Sequence, residues 1–215
     1  MAISDKHLLT LHGVHALRAS HPAARRLKRQ QAGHRAHGNK VWLSSFVLLD
    51  YLYDNPLPNG IAALDLGCGW GFSSAFMAKQ FGADVTAVDI DDSVEPFVKL
   101  QCEINDTQVH FSCTRFEKIT GRELGRHHTI IGADICFWDE LADTLYNLVR
   151  RALRSGSQQI IIADPGRPPF WALAERAMLQ LNGRRGITVE IISRRVHTPI
   201  KTEKYLLKIS SQSLA

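Results

Sequence analysis

The sequence lacks the features of a membrane-spanning or disulfide-rich protein. No apolar run reaches the roughly 20 residues that a transmembrane helix needs, and the N-terminal residues lack the charged-then-apolar order of a secretory signal. The four cysteines are far apart and form neither a CxxC pair nor a Cys/His spacing for zinc. We therefore expect free thiols in a reducing compartment, a cytoplasmic location, no metal ion and no membrane partner.

Acidic residues are nearly missing from the start of the chain. Asp5 is the only acid before residue 41, against eight lysines and arginines, so the net charge of +5 comes from this part. The segments DKHLLTLHGVHALRA and PAARRLKRQQ predict helices, and we divide the chain into a basic helical extension (residues 1–40) and one larger domain (residues 41–215). The run RRLKRQQAGHR could bind RNA or an acidic protein, or it could be a solvated helix; it has no aromatic residue for base stacking.

From residue 61 onward, short apolar segments alternate with helical ones. The strands are predicted in IAALDLG, DVTAVDI, QVHFSC, HTIIGADICF and QQIIIAD, and such continuous apolar strands favour a parallel sheet covered on both faces. A helix that begins near Ser44 or Ser45 precedes them. The last two strands, GITVEIISRRV and KYLLKIS, are joined by too few residues for a crossover helix, so they must pair antiparallel. The predicted fold is α/β and doubly wound, with a C-terminal antiparallel hairpin.

The segment LDLGCGWG holds three glycines at alternate positions. A dinucleotide loop reads G-x-G-x-x-G and faces a pyrophosphate, whereas here Gly67, Gly69 and Gly71 follow the carboxylate of Asp65. A carboxylate is a poor neighbour for phosphate and suits a ligand with an ammonium group. Cys68 fits the loop as a small side chain, and we assign it no thiol chemistry.

The next strand ends in a second acid. Asp89, followed by Ile90, lies roughly twenty residues beyond the loop, where an acid accepts hydrogen bonds from two ribose hydroxyls. Arg115 follows the third strand, at the usual position of an adenine ring, although an acid often found there is missing. A ribose without a phosphate site, together with an ammonium group, describes S-adenosylmethionine.

LDLGCGWG followed by AVDID resembles the first two motifs of class I methyltransferases. The resemblance implies a Rossmann-like, mostly parallel sheet of seven strands whose last strand inserts antiparallel. It also implies S-adenosylmethionine as the cofactor, bound by Asp65, Gly67, Cys68, Gly69, Gly71, Asp89, Ile90, Arg115 and Asp134.

Two further segments resemble the methyltransferase-like family 16, whose members are largely protein lysine methyltransferases. Asp134-Ile-Cys-Phe137 has the form acid-x-x-aromatic after the fourth strand, and Asp164-Pro-Gly-Arg167-Pro is similar to a DPGRP segment of one such enzyme. The resemblance covers roughly residues 40 to 170. It implies a protein substrate, Asp134 and Phe137 as catalytic residues, and substrate contacts from Trp42, Trp138, Asp164 and Arg167.

Several roles stay open at this point. Asp134 could orient an acceptor ammonium or help to remove its proton, or it could only cap the next helix or contact the cofactor. The sequence departs from the family where Phe137 replaces the commoner tyrosine and where Trp138 replaces an acid. A small-molecule N-methyltransferase and an RNA-directed module are the alternative functions. The N/D-PP-Y/F tetrapeptide of many amide and base methylases is missing, which argues against adenine N6 chemistry.

Overall fold

The computed structural model describes residues 5–30 and 40–212 of the chain. Short 3-10 turns apart, these residues form seven helices and nine strands. The helices are α1 (Pro22–Gln30), α2 (Leu43–Asp54), α3 (Phe72–Phe81), α4 (Glu95–Glu103), α5 (Gly121–Leu124), α6 (Asp139–Arg154) and α7 (Pro168–Gln180). The strands are β1 (Leu8–Leu11), β2 (Val14–Leu17), β3 (Ala62–Leu66), β4 (Asp84–Asp89), β5 (His110–Cys113), β6 (Thr129–Ala133), β7 (Gln159–Asp164), β8 (Ile187–Val196) and β9 (Thr202–Ser211).

Strands β3 to β9 form one twisted sheet in the order β5-β4-β3-β6-β7-β9-β8. The first five of these strands in the chain run parallel, and β9 lies antiparallel between β7 and β8. The short link between β8 and β9 forces this antiparallel pairing, as the sequence predicted. The predicted fold class is confirmed.

Helices cover both faces of the sheet, and successive strand residues supply the two cores. Ile130 packs on the face that α6 and α7 cover, with Leu148 and Phe170. Its neighbour Ile131 packs on the opposite face, with residues of α2 and α3 such as Phe46. This alternation follows from the period of two along a strand. Because the helices take up both faces, the edge formed by the strand ends stays open for a ligand site.

The prediction of a helix within residues 5–19 is wrong. Strands β1 and β2 pair antiparallel there, and the turn between them places His12 and Gly13 at φ 47° and 77°. Two consecutive left-handed residues make a tight hairpin turn, and a glycine in mid-segment weakens the competing helix. The predicted helix in PAARRLKRQQ is confirmed as α1, while residues 31–39, with the rest of the basic run, lie outside the described residues.

The hairpin packs closely against the larger domain. Leu11 and Val14 are buried in the core cluster that α2 and α3 line. Two side-chain amides bind the hairpin backbone. Gln101 in α4 accepts a hydrogen bond from the Leu17 backbone amide at 3.0 Å, and Asn105, just after α4, accepts one from the His15 backbone amide at 2.8 Å. Burial of apolar residues together with satisfied backbone groups makes this segment part of the folded unit.

Candidate active site

One cleft of about 510 Å³ lies at the carboxyl ends of the parallel strands β3, β4, β5 and β6. Ligands in doubly wound sheets bind at this edge. The cleft brings together nine of the predicted site residues from five separate parts of the chain: Trp42, Gly67, Gly69, Asp89, Ile90, Arg115, Asp134, Phe137 and Trp138.

The glycine loop connects β3 to α3 with an unusual backbone. Gly67, Gly69 and Gly71 have φ angles of 63°, 51° and 76°, in the left-handed region that side chains disfavour. A Cβ on Gly67 would also lie 2.7 Å from Cγ2 of Ile135. The loop therefore needs glycine for its conformation and for its close approach to Ile135, and it presents its backbone to the cleft.

Asp89 is held at the end of β4 by two backbone donors. Gly69 N donates to its Oδ2 at 3.0 Å, and Asp91 N donates to its Oδ1 at 3.1 Å. Burial raises the pKa of this carboxyl, and the two backbone hydrogen bonds partly oppose that shift. Asp89 thus links the glycine loop to the next strand and sets one acceptor group at the cleft, beside Ile90 and Arg115.

Asp65 lies behind the glycine loop in a narrow recess that shares Trp42 and two glycines with the cleft. It is 2% exposed, and its Oδ2 accepts a 2.6 Å hydrogen bond from Ser74 Oγ. Burial raises its pKa to about 7, and Ser74 counteracts only part of that shift. The same recess holds Cys68, whose thiol has its pKa raised by burial and stays protonated. Asp65 is thus a buried acid that forms no ion pair among the described residues, and Lys40 in the same recess lies over the Trp42 ring instead, 4.3 Å from its centroid.

Asp134 lies just after β6 in a left-handed conformation, with φ 58°. Its Oδ1 accepts a 2.9 Å hydrogen bond from Arg167, and its Oδ2 accepts a 3.1 Å bond from the Ser44 amide at the start of α2. It therefore caps α2, which begins at Leu43 and so slightly before the predicted start. A non-glycine residue in this region is strained and is held there by its surroundings.

Arg167 joins the carboxylates that follow two neighbouring strands. It pairs with Asp134 at 2.9 Å and with Asp164 at 2.6 Å, and both acids are almost fully buried. Asp164 also accepts hydrogen bonds from the Gly166 and Arg167 amides, which counteract the rise in its pKa that burial causes. Neither Asp164 nor Arg167 lines the cleft; Arg167 contacts the cleft residues Asp134 and Phe137, and Asp164 contacts Arg167. One guanidinium among two carboxylates leaves this trio with a formal charge of −1.

Aromatic rings form the wall of the cleft near Asp134. Phe137 lies edge-on to Trp42, with ring centroids 5.6 Å apart, and 5.8 Å from Trp138. The guanidinium of Arg167 stacks on Phe137 at 4.4 Å, a favourable cation–π geometry. Trp138 is 54% exposed at the mouth of the cleft. An apolar wall of this kind can exclude water from a reacting group, and an exposed ring such as Trp138 can contact a bound molecule.

Comparison with known proteins places this arrangement in context. Residues 63–156 match the family described as "Methyltransferase domain". The fold is that of a methyltransferase from Pyrococcus furiosus, with a TM-score of 0.59 and 18% identity over 86% of this chain and 93% of that one. A magnesium protoporphyrin IX methyltransferase from Synechocystis gives 0.56, with 15% identity over 90% and 93%.

The chain has a class I methyltransferase fold. Its curated relatives include the electron transfer flavoprotein beta subunit lysine methyltransferase of Xenopus laevis, which is 38% identical over 132 residues. That match covers 60% of this chain and 52% of the relative. The chain spans about half the length of the curated relatives of this kind that it matches.

The cleft also contains residues that the sequence analysis missed. Ile135 and Phe116 line it, and the Ser44 amide fixes Asp134 from a distance of 90 residues in sequence. Phe116 directly follows the predicted Arg115, so its position after the third strand could have pointed to it. The Ser44 contact uses a backbone amide, for which no residue pattern exists.

The described residues contain no group of three or more acids, histidines or cysteines placed to hold a metal ion. No helix among them is long and apolar enough to cross a bilayer.

Proposed function

We propose that this protein binds S-adenosylmethionine and transfers the methyl group to a lysine side chain of another protein. The observation that carries the proposal is Asp134, a buried and strained carboxylate beside Arg167, in the same cleft as the glycine loop and Asp89. The lysine methyltransferase relatives support the same acceptor class.

The residues present fit the cofactor. Asp89 would accept hydrogen bonds from the ribose hydroxyls, and Ile90 and Phe116 would flank the adenine with Arg115. The methionyl part would lie along the glycine loop, where a Cβ on Gly67 would take up space. The bound cofactor supplies an electrophilic methyl group on a sulfonium.

Asp65 supports an ammonium-bearing ligand in particular. Its carboxylate is buried and forms no ion pair among the described residues, since Lys40 of the same recess lies over the Trp42 ring. Burial raises its pKa to about 7. An ammonium group at the recess would compensate this buried charge. A phosphate at the same place would be repelled.

Asp134 would hold the acceptor by charge and position. Each of its oxygens already accepts one hydrogen bond, from Arg167 and from Ser44, so fewer lone pairs remain for a substrate proton. The net charge of −1 on the trio with Asp164 attracts the acceptor ammonium into the cleft. The ammonium gives up its proton to solvent at the mouth of the cleft. The lone pair of the amine is then aligned for attack on the methyl group, with S-adenosylhomocysteine as the leaving group.

The aromatic wall would serve the acceptor side chain. Phe137 and Trp42 enclose the inner part of the cleft, where they would contact the apolar stem of a lysine and exclude water. Trp138 at the mouth would contact the segment that carries the lysine. Phe137 has no hydroxyl, so it acts here by shape and by its stacking on Arg167.

The experiment uses the purified chain with tritiated S-adenosylmethionine and two acceptors, the electron transfer flavoprotein beta subunit and a whole-cell lysate. We expect label on a protein band, and mass spectrometry should place it on lysine. Asp89→Ala should abolish cofactor binding and labelling, while Asp134→Asn should retain binding but lower the rate at least about a hundredfold.

The alternatives give different labels. Label only in small molecules would favour a small-molecule N-methyltransferase, and label in RNA would favour a nucleic-acid substrate. The exposed basic residues of α1 support the RNA alternative. A cytoplasmic location belongs to the same proposal and is supported by the four free cysteines.

A further inference from the structure

A second cleft, of about 590 Å³, lies at the end of the sheet opposite the methyltransferase site. Its walls are the C-terminal ends of α6 and α7, the turn that leads into β8, and the end of β9. Because β7 is six residues long, the two clefts are separated by roughly 20 Å. We call it the arginine cleft, after Arg150, Arg154, Arg184 and Arg185, which line it.

The charge of the arginine cleft is uncompensated. None of the described residues that line it is acidic, and the ion pairs found among residues 5–30 and 40–212 include none of its four arginines. From residue 41 onward the chain holds 18 basic and 20 acidic residues. Four guanidiniums without an ion pair are therefore concentrated in one cleft, in a part of the chain whose overall charge is slightly negative.

The negative ends of two helix dipoles offset only part of the positive charge in the arginine cleft. Each helix C-terminus carries about −0.5 of an elementary charge, so the ends of α6 and α7 together offset about one of the four positive charges. A surplus of about +3 remains. The Tyr146 ring lies 5.8 Å from the guanidinium of Arg150 but is itself buried, and it adds no charge.

The backbone at the cleft is strained where it presents two of the arginines. Arg185 has φ 50° and lies in the turn between Gly183 and Gly186. Glycine is favoured in this region of φ, and a side chain there is held by its surroundings. The turn is closed by a 2.9 Å hydrogen bond from Gly183 N to Ile187 O, which keeps Arg184 and Arg185 beside the cleft.

We infer that the arginine cleft binds a small polyphosphate, such as a nucleoside diphosphate or pyrophosphate. The planar guanidinium matches phosphate oxygens with paired donors, and a ligand with about three negative charges would balance the surplus. The volume lies in the range of small-molecule sites. No exposed aromatic ring lines the cleft for base stacking, which argues against single-stranded nucleic acid.

The test is calorimetric titration of the full chain with inorganic pyrophosphate at low salt. We expect binding that weakens at least tenfold in the double variant Arg184→Gln/Arg185→Gln, because charge-assisted hydrogen bonds are lost. The matched control is Arg25→Gln/Arg26→Gln, an adjacent and exposed pair on α1, which should change affinity less than twofold. Unchanged melting temperatures would show that both variants fold.

ADP is titrated in parallel with saturating S-adenosylhomocysteine, so that its adenosine cannot occupy the site at Asp89. Equal affinity for ADP and pyrophosphate would assign recognition to the phosphates alone, and tighter ADP binding would add the nucleoside; both outcomes support the proposal. Three results would overturn the proposal. The first is that neither pyrophosphate nor ADP binds at about 1 mM, and the second is that binding weakens equally in the control pair. The third is that a polyglutamate peptide or an RNA oligonucleotide binds more tightly than pyrophosphate.

Discussion

Replacement of Asp65 by asparagine should have two effects of opposite sign. The folded-state pKa of about 7 lies above the unfolded value of 3.8, so the ionised carboxylate disfavours the folded state. This cost is absent below pH 4, grows as the pH rises, and is complete above pH 7. Asparagine removes the charge and can still accept the hydrogen bond from Ser74.

The magnitude follows from the shift. A change from 3.8 to about 7 corresponds to about 4 kcal/mol at pH 8. The unliganded Asp65→Asn variant should therefore melt several degrees above the parent protein at pH 8. At pH 5, where the carboxyl is already protonated in the folded state, the difference should be much smaller.

Cofactor binding should respond in the other direction. An ammonium group at the recess requires the ionised carboxylate, so affinity should fall by up to tenfold per pH unit below pH 7. Calorimetric titration with S-adenosylhomocysteine between pH 6 and 8 measures this dependence. Because burial also raises the pKa of Asp89, the comparison with Asp65→Asn isolates the contribution of Asp65.

The variant should bind weakly at pH 8 and lose most of the pH dependence. Asp143→Asn, at an exposed position on α6, is the matched control for the loss of one carboxylate. Equal affinity of Asp65→Asn and parent at pH 8, or a parent affinity that stays constant from pH 6 to 8, would refute the reasoning. So would a variant that melts at a lower temperature than the parent at pH 8.

Three other changes test the described structure. Arg167→Ala leaves two buried carboxylates without a cation and should lower the free energy of unfolding by about 3 kcal/mol. Arg167→Lys should recover part of that stability but little turnover. Denaturant titration measures the stability, and initial rates measure the turnover. Gly67→Ala forces a side chain into a left-handed, crowded position and should cost about 1–2 kcal/mol and abolish calorimetric cofactor binding. Leu11→Ala should destabilise the chain by about 2–5 kcal/mol, and thermal denaturation with an unchanged melting temperature would show that the hairpin is dispensable.

The parts of the fold that depend on local patterns could be predicted from the sequence. Continuous apolar strands, glycine and proline punctuation, and the short link between β8 and β9 determine the sheet and its antiparallel end. The glycine loop after Asp65 and the placement of Asp89 could likewise be predicted, because they depend on one strand, one turn and the next strand. These features are each contained in a few consecutive residues.

Long-range contacts could not be predicted in the same way. The leucines of residues 8–17 fit a helix about as well as a strand, and the choice depends on α3 and α4, which lie far along the chain. The cap of α2 comes from Asp134, 90 residues away, and no local pattern around Ser44 indicates it. Asp164 and Arg167 carry a motif, but only packing shows that Arg167 joins Asp164 to Asp134.

The position of β9 affects how the chain folds during its synthesis. Translation produces β8 before β9, yet β9 lies between β7 and β8 and pairs with both. Until β9 emerges from the ribosome, β7 presents an open edge, and open edges are sites of intermolecular strand pairing. A nascent chain that stalls before residue 202 should therefore be prone to aggregation and depend on chaperones, although its glycine loop, Asp89 and Asp134 have already been synthesised.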